Sequence, residues 1–426
     1  MTTLDTKCVQ SGYSPKNGEA RLLPIYQSTT YAYDTPEEMG ELFDLKKEGF
    51  FYSRLANPTV AALENRFVAL DGGVGAAGCS SGMSATTLAV LNVCHAGDNI
   101  VSLSTIYGGT YNLFSTTLPK AGIECRFVSP TAKPEEIESL IDGKTKVIFC
   151  ETIANPAMYV ADFAMLSAIA KKHGVLLYVD NTLATPVICR PIEHGANVVI
   201  YSTTKYTDGH GSSVGGMIVD GGNFDFGSSE RYEDFNRPDE SYHGMVYSRD
   251  CGNCAFITKL RAQYMRDVGA VMAPFNAFLT YLGTDTLHLR MIRHSENALA
   301  VAKLLSESPE VEWVKYAGLP SDINYPLVQK YFDKGMASGM VTFGIKGGRE
   351  AASRFQKALR LFKIVTHIAD ARSCVLHPAS TTHRQLSDAD LVACGISVSP
   401  LYAAKSRKPQ PVKFTICEAT ATFCVE

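Results

Sequence analysis

The chain contains no uninterrupted apolar run of about 18 residues, the length a helix needs to cross a bilayer. Its start, Met1-Thr-Thr-Leu-Asp5, lacks the basic segment and apolar stretch of a secretory leader. The excess of one charge sign is only −3, which gives nucleic acid or an anionic membrane little to hold. There is no internal repeat and no low-complexity tract. These absences leave a soluble globular protein, with the cytoplasm as the expected compartment. Its 426 residues, 46% hydrophobic and 19% charged, suffice for about two or three structural units around large cores. Cysteine is not scarce, but the twelve thiols are scattered through apolar stretches such as Val147-Ile-Phe-Cys150, as reduced core residues are. Cys251 and Cys254 form a lone C-x-x-C pair. Without a second pair or a histidine cluster it falls short of the usual four zinc ligands, and no metal is expected.

Three parts are expected along the chain. Residues 1–56 read as an extended arm, because Pro24, the Thr/Tyr-rich stretch Ser28 to Tyr33 and Gly49 interrupt any helical period. Asn57-Pro58 then reads as a helix cap with proline in the first turn. Val60, Leu63, Phe67 and Leu70 follow at helical spacing, and Asp71-Gly-Gly73 stops the helix. From there, short apolar runs alternate with helical segments: Asn99–Leu103, Lys146–Cys150, Val175–Val179 and Asn197–Tyr201, with Phe163, Leu166, Ile169 and Ala170 marking a helix between them. That rhythm predicts an α/β domain over 57–262 with a mostly parallel central sheet, whose ligands bind at the carboxyl ends of the strands. The Gly-, Ser- and acid-rich residues 221–250 read as a long connection, and 255–306 as long helical pattern. Residues 263–426 are expected to hold a smaller C-terminal α/β domain, with a strand at Leu361–Val365 and an atypical tail over 398–426.

Several strand ends carry chemistry. Asp180 ends Tyr178-Val-Asp, where a buried carboxylate is costly without a partner. A pyridinium nitrogen is such a partner, although in isolation a helix cap or turn aspartate is the better explanation of the residue. Lys205 ends Tyr201-Ser-Thr-Thr-Lys among hydroxyl residues. A lysine in a partly desolvated pocket can form an imine, and Ser202 and Thr204 could bond phosphate oxygens. A loop lysine on the surface is the plainer alternative. A strand-end aspartate followed by a strand-end Ser-x-Thr-Lys is much less easily a coincidence. Cys79-Ser-Ser-Gly-Met-Ser-Ala85 precedes a helical run, so Ser81, Gly82 and Met83 can present main-chain N–H groups to a phosphate. Tyr107, after the Asn99–Leu103 strand, could stack on a cofactor ring. Asn155 could reach a phenolate oxygen, and Tyr52 and Arg54 offer further phosphate ligands.

With these residues in view, the chain resembles the Cys/Met-metabolism family of enzymes that depend on pyridoxal 5′-phosphate (PLP). Tyr52-x-Arg54, Ser81-Gly-Met83, Tyr107-Gly-Gly-Thr110, Asp180-Asn-Thr182, Ser202-x-Thr-Lys205 and His377-Pro-Ala-Ser-x-Thr-His383 carry the resemblance, which runs to about Gly395. Gly221-Gly-Asn-Phe-Asp225, Ser241-Tyr-His-Gly244, Arg266-Asp-Val-Gly269 and Pro274-Phe-Asn-Ala277 resemble the branch that uses O-acetylhomoserine. The resemblance implies the aspartate-aminotransferase-like fold (type I) and PLP as cofactor. It implies Lys205 as Schiff-base lysine and proton shuttle, with Tyr107 and Tyr52 beside it at the catalytic centre. It places Asp180 at the ring nitrogen, Tyr107 on the ring and Asn155 at the phenolate oxygen. Gly82, Met83, Ser202 and Thr204 would bind the phosphate, with Ser81 and Thr182 lining the same site. Tyr52 and Arg54 would come from a neighbouring subunit, so a dimer is the least active unit and a homotetramer the usual one. The implied reaction is γ-replacement: O-acetyl-L-homoserine plus sulfide or a thiol gives homocysteine, or methionine, and acetate. A methionine or cystathionine γ-lyase is the near alternative. Gly109 speaks against it, because methionine γ-lyases usually carry cysteine there.

The resemblance breaks at the end. Relatives carry an Arg-x-Ser-Val-Gly segment shortly after the Gly-Ile-Ser that stands here at Gly395–Ser397; its arginine binds the substrate carboxylate, and a helix follows. Here that segment is absent, Tyr402 falls near the arginine's place, and a shifted reading frame near residue 398 is the expected cause. Arg372 and Arg407 are the nearby substitutes, and His367 departs from the usual Ser or Asn. The altered tail also raises the reading of a PLP-binding protein with impaired catalysis.

Overall fold

The first helix to carry the domain begins where its cap predicts. Asn57 Oδ1 accepts the N–H groups of Thr59 and Val60 (3.0 and 3.4 Å), Pro58 sits in the first turn, and Gly72 ends the helix in the left-handed region at φ 78°. Leu63, Phe67 and Leu70 of this helix are fully buried. The computed structural model describes residues 3–378, 381 and 412–417.

The arm is not extended throughout. It holds two short helices, α1 (Leu4–Gln10) and α2 (Pro36–Phe43), ahead of α3 (Pro58–Asp71). The second was signalled by Thr35-Pro-Glu-Glu38, a cap residue with proline and acids in the first turn, and Thr35 Oγ1 accepts the Glu38 N–H at 3.3 Å. The start of the chain is tied down by Arg66. Its buried guanidinium donates to Ser11 O (2.9 Å), pairs with Asp285 (2.5 Å) and lies 3.4 Å from the Tyr281 ring centroid.

A seven-stranded sheet forms the main core. Its strands are β1 (Gly75–Cys79), β2 (Asn99–Leu103), β3 (Glu124–Val128), β4 (Thr145–Glu151), β5 (Leu176–Asp180), β6 (Val198–Tyr201) and β7 (Gly216–Asp220). They lie in the order β1-β7-β6-β5-β4-β2-β3. Only β7 runs antiparallel to its neighbours; the β3-β2-β4-β5-β6 block is parallel throughout. Helix α4 (Gly82–Leu91) follows β1, and the expected helix after β4 spans Phe163–His173, with Asp162 at its cap and Gly174 at its end. The 221–250 stretch is a packed layer: Phe226, Tyr232, Phe235, Tyr242 and Tyr247 are buried with β2 and β4 residues in one apolar cluster. The helical pattern over 255–306 divides into Ala255–Leu260 with a wider turn after it, Pro274–Asp285 and Leu287–Glu307.

The second sheet has five strands: β8 (Val311–Lys315), β9 (Met340–Ile345), β10 (Lys363–Ile364), β11 (Cys374–Leu376) and β12 (Val412–Cys417), in the order β10-β11-β12-β9-β8. The strand expected at Leu361–Val365 shrinks to two exposed residues, because it is an edge paired on one side only. The tail contributes β12, which runs antiparallel to both β11 and β9. The readings placed on Ser397, Tyr402, Arg407 and the frame near 398 lie outside the described residues, as does His383. No helix among the described residues is long and apolar enough to cross a membrane.

Candidate cofactor site

Five strand ends point to one cavity. It is lined by Ser81, Gly82, Met83, Tyr107, Glu151, Asn155, Asp180, Thr182, Ser202, Thr204 and Lys205, and by Thr366, Ile368, Leu376 and Pro378 from the second sheet and its loops. These are the carboxyl ends of β1, β2, β4, β5 and β6, where a parallel sheet presents its loops to a ligand.

Helix α4 starts at the cavity wall. Ser81 caps it reciprocally with Ser84: Ser84 N–H donates to Ser81 Oγ (3.1 Å) and Ser81 N–H to Ser84 Oγ (2.9 Å). The first-turn N–H groups have no acceptor within a helix, and here Gly82 and Met83 supply them to the cavity. A side chain at Gly82 would force the Ser202 turn to shift, since a Cβ there would lie 2.6 Å from Ser202 Cβ.

The Ser202–Lys205 turn leaves β6 on a firm base. Ser202 N–H donates to Thr182 Oγ1 (2.8 Å), and Thr182 N–H donates to Asp180 Oδ1 (2.9 Å), so the β5 and β6 ends are laced together. Gly209 N–H closes on Lys205 O at 2.8 Å. Thr204 gives its hydroxyl proton to Gly215 O (3.1 Å) and accepts Gly215 N–H (3.0 Å). It must release the first bond to donate to a phosphate.

Asp180 and Glu151 stand as register partners at the ends of β5 and β4. Burial raises the pKa of Asp180 against the lowering effect of its bonds from Thr182. Burial, and then the neighbouring Asp180 charge, hold the Glu151 carboxyl well above the ordinary glutamate range. Lys205 is the one cationic side chain among the described lining residues. Tyr107, 43% exposed, sits at the cavity, and its main-chain N–H donates to Glu151. A Cβ at Gly109 would come within 2.5 Å of the Tyr107 ring, so the glycine gives that ring its room.

Tyr52 and Arg54 do not join the cavity of their own chain. The Arg54 guanidinium lies 5.2 Å from the Tyr52 ring centroid and donates to Arg266 O, and the Tyr52 ring is 37% exposed. Arg372 is turned aside as well, bonding His210 O and Asp370 (3.0 Å each). His367 is half-buried, and burial followed by the Lys205 charge lowers its pKa. The residue to which the sequence assigned no role is Glu151; its signal was the one that marked Asp180, an acid closing an apolar strand.

The chain belongs to the Cys/Met metabolism PLP-dependent enzymes, whose family description matches residues 5–399. It is 42% identical over 402 residues to the O-acetyl-L-homoserine sulfhydrylase of Leptospira meyeri, covering 92% of this chain and 90% of that one. It is 44% identical over 395 residues to O-acetyl-L-homoserine sulfhydrylase 1 of Thermus thermophilus, covering 92% and 93%. Among solved structures, a putative O-acetylhomoserine (thiol)-lyase from Campylobacter jejuni matches with a TM-score of 0.93 and 34% identity, over 99% of this chain and 97% of that one. That crystal structure carries N′-pyridoxyl-lysine-5′-monophosphate at its position 205.

The residues present fit PLP. Asp180 is a half-buried carboxyl whose desolvation calls for a cation, which a protonated ring nitrogen provides. The α4 start and Ser202 enclose a gap that a side chain at 82 would crowd, suited to an anion with several acceptor oxygens. Lys205, on the Ser202–Gly209 turn, lines the same cavity as these two features, as suits an amine that must reach the cofactor's carbonyl carbon.

Proposed function

We propose that this enzyme catalyses γ-replacement, converting O-acetyl-L-homoserine and hydrogen sulfide into L-homocysteine and acetic acid. The observation that carries the reading is the convergence of Lys205, Asp180 and the α4 start on one cavity, in a chain 42–44% identical to relatives named for that activity. When bound, PLP supplies an electron sink for negative charge that develops on the substrate carbons. Asp180 keeps the ring nitrogen protonated, which strengthens that sink. Lys205 takes the proton from Cα and then one from Cβ, and returns them after exchange at Cγ. Acetate departs from Cγ with the C–O electron pair, and sulfide forms the new C–S bond at the same carbon. Gly82, Met83, Ser202 and Thr204 hold the phosphate, Tyr107 covers the ring and Asn155 reaches its oxygen edge. Tyr52 and Arg54 serve the cavity of a second copy, so the active unit is at least a homodimer, with a tetramer as the fuller assembly. The nine free thiols among the described residues suit a reducing cytoplasm.

The purified holoenzyme, given O-acetylhomoserine and sulfide, should release homocysteine, and Lys205→Ala should not. If methionine or cystathionine instead yields a 2-oxo acid and ammonia faster than homocysteine forms, the γ-lyase reading replaces this one.

A further inference from the structure

Glu151 and Asp180 are register partners on adjacent parallel strands, and both line the cavity, so two carboxyls stand side by side beneath it. Asp180 has a task there; Glu151 has none so far. One Glu151 carboxyl oxygen accepts the main-chain N–H of Tyr107 (2.6 Å), and the other accepts that of Asn155 (3.1 Å). Tyr107 belongs to the loop after β2 and Asn155 to the loop after β4, so one side chain ties two loops together beside the cavity. A second acid next to Asp180 is costly in a buried place, and a valine or threonine would pack without that cost.

We propose that Glu151 is a positioning residue for the cofactor: it holds the Tyr107 and Asn155 main chains in one grip. That grip sets the stacking ring and the amide in fixed relation to each other.

This inference rests on the PLP site described above, and the test separates the two. Apo-protein is reconstituted with PLP itself, and affinity and the visible circular dichroism of the bound cofactor are measured for wild type, Glu151→Gln and Glu151→Ala. Glu151→Ala should bind PLP about ten- to hundredfold more weakly, with a reduced visible band. Glu151→Gln keeps one acceptor oxygen for one of the two loops, so it should fall between wild type and alanine. A far-ultraviolet spectrum and melting curve of each apo-protein establish that the variants fold; if alanine does not, glutamine decides. A folded variant whose affinity is within twofold of wild type and whose visible band is unchanged would overturn the inference. A wild-type protein with no visible band that borohydride removes would overturn the PLP site, and this inference with it.

Discussion

Replacing Gly82 with alanine opposes two physical effects and shows which one the cavity obeys. Alanine in the first turn of α4 should help the helix by up to about 1 kcal/mol, since glycine is the poorer helix former. The cavity wall reverses that sign. The added Cβ would lie 2.6 Å from Ser202 Cβ, 2.8 Å from its Cα and 3.0 Å from its Oγ. One of these atoms is main chain, held by the bond from Ser202 N–H to Thr182, so the contact cannot be relieved by a side-chain rotation alone. Overpacking of this kind costs about 1–3 kcal/mol, which leaves the apo-protein roughly 0–2 kcal/mol less stable. The effect on PLP should be larger. Pushing α4 from the Ser202 turn spoils one or two charge-assisted bonds to the phosphate, each worth about 1.5–3 kcal/mol. One such loss is roughly one to two powers of ten in affinity. The assay is a PLP titration of apo Gly82→Ala, with melting curves with and without PLP. The apo melting temperature should move little, and the rise caused by PLP should shrink. Affinity within twofold of wild type would refute the placement of the phosphate at the α4 start.

Three further outcomes follow from other parts of the molecule. Mixing inactive Arg54→Ala subunits with inactive Lys205→Ala subunits should restore part of the activity, because one hybrid site would be intact; no recovery despite proven subunit exchange would mean that each site is built from one chain. Asp71 is buried, accepts the Tyr201 hydroxyl at 2.6 Å, and has its pKa raised by burial from 3.8 to about 7. The folded state then keeps a proton that the unfolded chain loses between pH 3.8 and about 7, so stability falls as pH rises through that window. Asp71→Asn should gain on wild type across it, by at most roughly 4 kcal/mol at pH 8, and urea unfolding at pH 5 and pH 8 that gives the same difference would contradict this. Ending the chain before Val412 removes the strand between β9 and β11 and should lower the melting temperature and solubility; an unchanged melting curve would show that β12 contributes nothing to the fold.

Residues that act through their own strand were legible in the sequence. Asn99–Leu103 is a strand over those five residues, and Asp180 and Lys205 stand at strand ends because an apolar run of fixed length brings them there. The Asn57 cap and Gly72 stop were readable for the same reason, being local. What escaped depended on distant partners. In sequence Glu151 is one strand-end acid among others, and the Tyr107 N–H that it accepts comes from another loop. The arm's helices are short, and α1 is held by Arg66, whose link to Ser11 no local pattern reveals. Leu361–Val365 has strand composition, but its place at the sheet edge left only Lys363 and Ile364 paired.

Charge counting favours the proposed role of the arm at the site of a second copy. Among the described lining residues, Lys205 is the one cation, against the carboxyls of Asp180 and Glu151. A bound phosphate ester adds roughly −2, and an amino-acid substrate adds a carboxylate. The α4 start offsets only about half a charge. A cavity in that state favours neither anion, because a buried charge without a counter-charge is costly. Among the described residues, arginines outside the cavity are the groups that could offset the deficit. Arg372 is close in sequence to Ile368 and Leu376, yet its guanidinium is engaged by Asp370 and His210 O. Arg54 is on an exposed arm beside Tyr52 and donates to a neutral carbonyl, so it can be given to another copy at little cost. The same count makes the substrate carboxylate the harder anion to satisfy: on the proposed reading Arg54 would meet the phosphate, and among the described arginines Arg372, by exchanging its bonds, would meet the carboxylate. Arg372→Ala should therefore raise KM for O-acetylhomoserine by about ten- to hundredfold while leaving PLP affinity unchanged. An equal loss in both would place Arg372 with the phosphate, and a loss in neither would remove it from the site.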